Sequence, residues 1–143
     1  MSAFIGKWKL VESQNFDELM KELGVGFITR KIGNTTKPVI TFEKFGENGL
    51  SMKTESTFKT SELSFNFGQE VEETTADGRT VMSTFTKNSD VQMTQLQKHP
   101  DADTLIVRQI EDDMMTVIGV AYVHCRSKHA CLTFMPFAKG LAI

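Results

Sequence analysis

The chain has 143 residues, sixteen Lys and Arg against eighteen Asp and Glu, a formal charge of -2, and 40 % hydrophobic residues. That length suits one domain with a substantial core, and the near-neutral balance excludes a global attraction to nucleic acid. No apolar run is long enough for a membrane-spanning helix, and Lys7, Lys9 and Glu12 break the N-terminal apolar stretch that a secretory signal would need, so the chain reads as cytosolic.

Trp8 and Leu10 share one face of a period-two run whose other face carries Lys7 and Lys9, which predicts a strand packed on one side. Asn15 then fits a helix N-cap, with Asp17 and Glu18 at the positive end of the dipole. Phe16, Leu19, Met20 and Leu23 give this helix an apolar stripe, and Gly24 is its expected stop. Phe27, Ile28 and Ile32 predict a second short helix within residues 25–35, ended by Gly33 and Asn34. Arg30, Lys31 and Lys37 cluster there, which suits either a solvated face or transient contact with an anionic membrane surface.

From Pro38 onward short strand-like runs alternate with turn chemistry. Runs are expected at residues 39–43, 50–54, 58–67, 70–74, 80–86, 91–97, 104–110 and 115–125. Gly46 to Gly49 forms a hairpin turn, and Asp77-Gly78 supports a two-residue hairpin. One strand, a helical pair and eight or so further strands predict an antiparallel meander. Closed into a barrel, it has no open edges and holds a small ligand inside; a sandwich is the competing architecture.

Catalytic motifs are absent: there is no nucleophile elbow, no zincin helix and no phosphate-binding loop, which lowers the expectation of an enzyme without excluding catalysis, and no catalytic residue is assigned. His124, Cys125, His129 and Cys131 collect possible zinc ligands in eight residues, but no second ligand pair lies elsewhere, and no metal site is assigned. Two cysteines make no disulfide framework. Arg108 interrupts an apolar strand and shares a face with Ile106 and Ile110. Either that face is outside, or the guanidinium enters a cavity where it requires polar partners. Gln97, on one face with Met93 and Gln95, is a candidate to meet it across the sheet, or else a solvent-facing glutamine.

These residues resemble the intracellular fatty-acid-binding protein family, lipocalin-like cytosolic carriers, and are especially similar to flatworm members. The resemblance rests on GKWKL at 6–10, NFDELM at 15–20, TRKIGN at 29–34, KTESTFK at 53–59, FNFG at 65–68 and TADGR at 75–79, in the family's order. It implies an all-β fold, a single ten-stranded antiparallel up-and-down barrel with a two-helix lid inserted after the first strand. It implies reversible binding and transport of long-chain fatty acids as ligands, without a cofactor, by a cytoplasmic protein expected to be a monomer. Carried over residue by residue, Phe16 and Met20 contact the acyl chain, Phe58, Ala76 and Asp77 line the portal, Arg108 holds the carboxylate, and Gln97 is a polar cavity residue near it. A retinoid- or haem-like ligand in the same fold, or an interaction module with a compromised carboxylate site, are the alternatives.

The C-terminus departs from the family, whose members finish with Arg-x-Tyr completing the carboxylate site. A gapless register from Arg108 puts Lys128 at the arginine position and Ala130 at the tyrosine; a two-residue gap puts Arg126 and Lys128 there. Neither supplies the tyrosine. The barrel domain is therefore expected to span 1–131, with 132–143 an atypical apolar tail packed on or extending the barrel.

Overall fold

The computed structural model describes residues 2–57, 59–124 and 130–140. After a single helical turn at Ser2–Phe4, strand β1 (Gly6–Leu10) leads into helices α1 (Phe16–Glu22) and α2 (Phe27–Thr35). Nine strands follow: β2 (Val39–Phe45), β3 (Gly49–Glu55), β4 (Thr60–Asn66), β5 (Glu70–Thr74), β6 (Thr80–Lys87), β7 (Gln92–Lys98), β8 (Ala102–Glu111), β9 (Met114–Val123) and β10 (Ala130–Lys139). They form one sheet in the order β4-β3-β2-β1-β10-β9-β8-β7-β6-β5, every ladder antiparallel. This is the expected meander, rolled into a nearly closed barrel; the two-sheet sandwich is set aside. β4 and β5 share no ladder, and Phe65 of β4 stacks on Phe85 of β6 across that junction.

One end of the barrel is solid. Phe4, Trp8, Phe42, Phe65, Phe85, Met93, Met115 and Phe137 are fully buried there, and the Trp8 indole donates to the Phe4 carbonyl at 2.9 Å. Gly49 is obligatory at this end, because a Cβ would lie 2.0 Å from the Phe65 carbonyl oxygen. The other end is covered by the helices.

Three local expectations are corrected. Asn15 occupies the N-cap position of α1 in the left-handed region (φ 60°), but its side chain makes no capping bond. Asp17 instead joins the helices, accepting from Asn34 Nδ2 at 2.9 Å and from Arg30 Nε at 3.3 Å. Gly33 and Asn34 do not end α2, which runs on to Thr35. Gly33 is where the helices cross: a Cβ there would stand 3.1 Å from Met20 Sδ. The Asp77-Gly78 turn is not a two-residue hairpin. Thr75 N–H donates to Arg79 O, Gly78 N–H to Thr75 O, and Gly78 takes φ 89°, the pattern of a three-residue loop closed by a glycine bulge. Gly24 does stop α1: Gly24 N–H bonds Lys21 O and Val25 N–H bonds Met20 O, a Schellman closure.

β10 begins at Ala130 and extends to Lys139, pairing with β9 from Ala130↔Tyr122 to Ala138↔Met114 and with β1 from Leu10↔Phe137 to Trp8↔Lys139. Residues 132–139, set apart in sequence as a tail, lie within this strand. Pro136 is tolerated there because its carbonyl accepts from Val11 N–H, so its nitrogen faces the β1 side, beyond the last residue of that strand. No bond of the β9 ladder is lost.

Candidate functional site

The lid and the upper barrel enclose two connected lobes of about 300 and about 460 Å³, both lined by Arg108, Gln97, Ile40 and Thr54. Each is within the range of roughly 300–1,000 Å³ common for small-molecule sites. The first is walled by apolar side chains of the lid and of β8 to β10, among them Phe16, Met20, Leu23, Ile32, Val117 and Met135. The second lies along the β4–β5 junction and is more polar, lined by Glu73, Gln95, Gln97, Thr75 and Ser61.

Alternation along β8 decides the orientation left open by the sequence. Ala102, Thr104, Arg108 and Ile110 are buried while Gln109 and Glu111 are exposed, so Arg108 faces inward, with 5 % of its surface accessible. Its Nη1 donates to Gln95 Oε1 at 2.9 Å, its guanidinium carbon stands 6.0 Å from the Phe85 ring centroid, and Nε has no acceptor among the described residues. Burial pushes the guanidinium down to about 10, and the charge of Glu73 acts in the opposite direction.

Glu73 organises the polar end. Its Oε1 accepts from Ser83 Oγ at 2.7 Å, from Gln95 Nε2 at 2.9 Å and from Gln97 Nε2 at 2.9 Å. Gln97 thus lies in the cavity, 7 % exposed, and reaches Arg108 only through this network. Glu73, which lines the second lobe, and Ser83, which donates to it, are positions that sequence reading missed. A signal existed, since Val71 and Glu73 share a face of β5 by the same alternation that turned Arg108 inward.

At the lid, Phe16 and the buried Met20 line the first lobe. Ala76 and Asp77 line it from the β5–β6 loop, where Asp77 pairs with Arg79 and accepts from Thr75 Oγ1 at 2.6 Å. Burial acts to raise the Asp77 carboxyl, but the bonds from Arg79 and Thr75 outweigh it and hold it below the usual range. Phe27 and Ile28, which with Ile32 form the apolar stripe that predicts α2, are 70 % and 75 % exposed. Only Ile32 of that stripe lines the cavity.

Phe58, Arg126 and Lys128 lie outside the described residues. On β10, the inward residues beside the cavity are Thr133, Met135 and Phe137. Register links Met135 to Val117 and Val117 to Arg108. Of the possible zinc ligands, His124 stands 3.2 Å from Asp103, and residues 125–129 lie outside the described set. Among the described residues no three His, Cys, Asp or Glu side chains gather to hold a metal ion.

The arrangement offers an apolar chamber for a long flexible chain and one polar end for a head group. A family model described as lipocalin / cytosolic fatty-acid binding protein matches residues 5–122. A fatty acid-binding protein of Clonorchis sinensis is 65 % identical over 115 residues, covering 80 % of this chain and 86 % of that one. A 14 kDa fatty acid-binding protein of Schistosoma mansoni is 50 % identical over the same length and shares. The solved structure of a Schistosoma mansoni fatty acid binding protein in complex with arachidonic acid superposes with a TM-score of 0.87, at 42 % identity, covering 99 % of this chain and 98 % of that one.

Proposed function

We propose that this chain, which belongs to the lipocalin / cytosolic fatty-acid binding protein family, binds long-chain fatty acids reversibly in its barrel cavity and carries them through the cytoplasm, with no reaction catalysed. The observation that supports this most directly is an apolar chamber under a helical lid whose inner end holds the buried Arg108.

Affinity comes chiefly from the chain. Burying roughly fifteen methylenes at about 0.8 kcal/mol each sets an upper bound near 12 kcal/mol, before ordering costs. Arg108 orients the ligand, with its carboxylate drawn to the guanidinium directly or through water. Phe16, Met20 and Ile32 close over the chain from the lid. Ligand passes between the lid and the β5–β6 loop, where Ala76 and Asp77 stand, and the exposed Phe27 and Ile28, beside Lys31, meet an anionic bilayer during transfer.

Competition against a fluorescent fatty acid, with oleate and methyl oleate as competitors, tests the role of Arg108. Arg108→Ala is expected to weaken oleate about tenfold or more and methyl oleate by far less, the loss of one charge-assisted contact. Equal loss for both would remove Arg108 from its assigned role.

A further inference from the structure

The cation of this cavity is already answered by an anion of the same chain. Along its own inward row Arg108 has only apolar neighbours: Met93 across β7, Val117 across β9, and Met135 beyond it on β10. Phe137, two positions along β10, is 1 % exposed and brings no polar group. Among the described residues the one hydrogen-bond partner of Arg108 is Gln95, two positions along β7 from Met93. Gln95 turns its carbonyl oxygen to Arg108 and its amide nitrogen to Glu73, so one amide is oriented by both charges. Ser83 and Gln97 hold the same carboxylate in place. All three bonds end on Oε1, and among the described residues Oε2 accepts none, as Arg108 Nε donates none.

This geometry has a chemical consequence for the head group. A ligand carboxylate is an acceptor only; it gains from Arg108 but arrives in the field of a second carboxylate, whose charge opposes that gain. A hydroxyl both donates and accepts, so one placed between the two charged groups can accept from the Arg108 guanidinium and donate to the Glu73 carboxylate. An ester accepts only and lacks the charge to attract Arg108.

We propose that Glu73 sets head-group selectivity: by balancing Arg108 inside the cavity it admits long-chain lipids with an uncharged hydroxyl head, primary alcohols above all, on nearly equal terms with fatty acids. This rests on the carrier function proposed above and names a further ligand class for the same cavity.

Competition by oleate, oleyl alcohol and methyl oleate for a dansyl-labelled fatty acid measures it. In the unaltered protein oleate and oleyl alcohol are expected within about threefold of each other, with methyl oleate weaker than the alcohol. In Glu73→Gln, which keeps the size of the side chain and removes its charge, the oleate-to-alcohol preference is expected to rise about tenfold. A preference for oleate above about thirtyfold in the unaltered protein overturns the proposal without any variant, and so does an unmoved ratio in a folded, lipid-binding Glu73→Gln protein. If none of the three lipids competes and the probe itself does not bind, the carrier function fails and the proposal with it, a result distinct from retained binding with an unmoved ratio.

Discussion

β8 and β10 are matched in length at ten residues each, and both pair along most of β9. They differ in what they carry. β8 lies inside the 5–122 match to the family model and brings Arg108 into the cavity, whereas β10 lies wholly beyond that match and brings Thr133, Met135 and Phe137. Barrel closure asks of a strand only backbone partners on both sides and an apolar inner face. β10 meets that demand with a sequence outside the family match and even a proline, while a head-group site asks for particular donors at particular positions, and among the described residues the β10 position in register with Val117 and Arg108 is the apolar Met135. Barrel closure thus tolerates a strand sequence outside the family match, because its demands are met by backbone pairing and an apolar inner face.

Placing a charge on β10 is the sharpest way to break that contrast. Phe137→Asp buries a carboxylate between Leu10 and Met115 in the core and is expected to cost more than about 4 kcal/mol, enough to unfold the barrel. Pro136→Ala, one residue away, is expected to stay within about 0.5 kcal/mol, because no ladder bond depends on the proline nitrogen. Urea midpoints of the two variants compare them directly; similar losses would show that β10 is not an ordinary closing strand. On β8 the sign reverses. Arg108 is held at about 10 by burial, below its ordinary value. A base so lowered destabilises the fold fully at every pH below its folded value, and the penalty fades only as pH rises through it. At neutral pH the double change Arg108→Met with Glu73→Gln, which fills the same space and leaves neither charge without its counterpart, is therefore expected to stabilise the lipid-free protein by about 1–3 kcal/mol. An unchanged or lower melting temperature would mean that Gln95 and Glu73 already offset the burial.

Much of this was legible in the sequence where one periodicity governed. Period-two alternation located the strands and offered an inward Arg108, and Trp8 and Leu10 placed β1 on the core. Legibility failed where two demands met at one residue. Gly33 reads as a helix stop in isolation, yet tertiary packing against Met20 claims the missing Cβ and the helix runs on. Asn15 reads as a cap, yet it takes the left-handed backbone that turns the chain into α1. Glu73 was hidden by its neighbours, since Glu70, Glu72 and Glu73 place acids on both faces of β5 and only the partners Ser83, Gln95 and Gln97 show which one is inside.

The lid offers the smallest expected effect and a test of the same separation between closure and chemistry. Phe27 and Ile28 are exposed at the start of α2, whereas Ile32 lines the cavity. Their apolar surface therefore contributes little to holding a bound lipid, but it is available to enter the interfacial layer of a bilayer, where Lys31 adds attraction to anionic head groups. Phe27→Ser with Ile28→Ser is expected to leave oleate affinity within about twofold and to slow transfer of a fluorescent fatty acid to anionic vesicles a few-fold, raised salt slowing the unaltered protein in the same direction. Transfer that is slowed only through a parallel loss of affinity would place these residues in the closure of the cavity rather than on its outer, membrane-facing side.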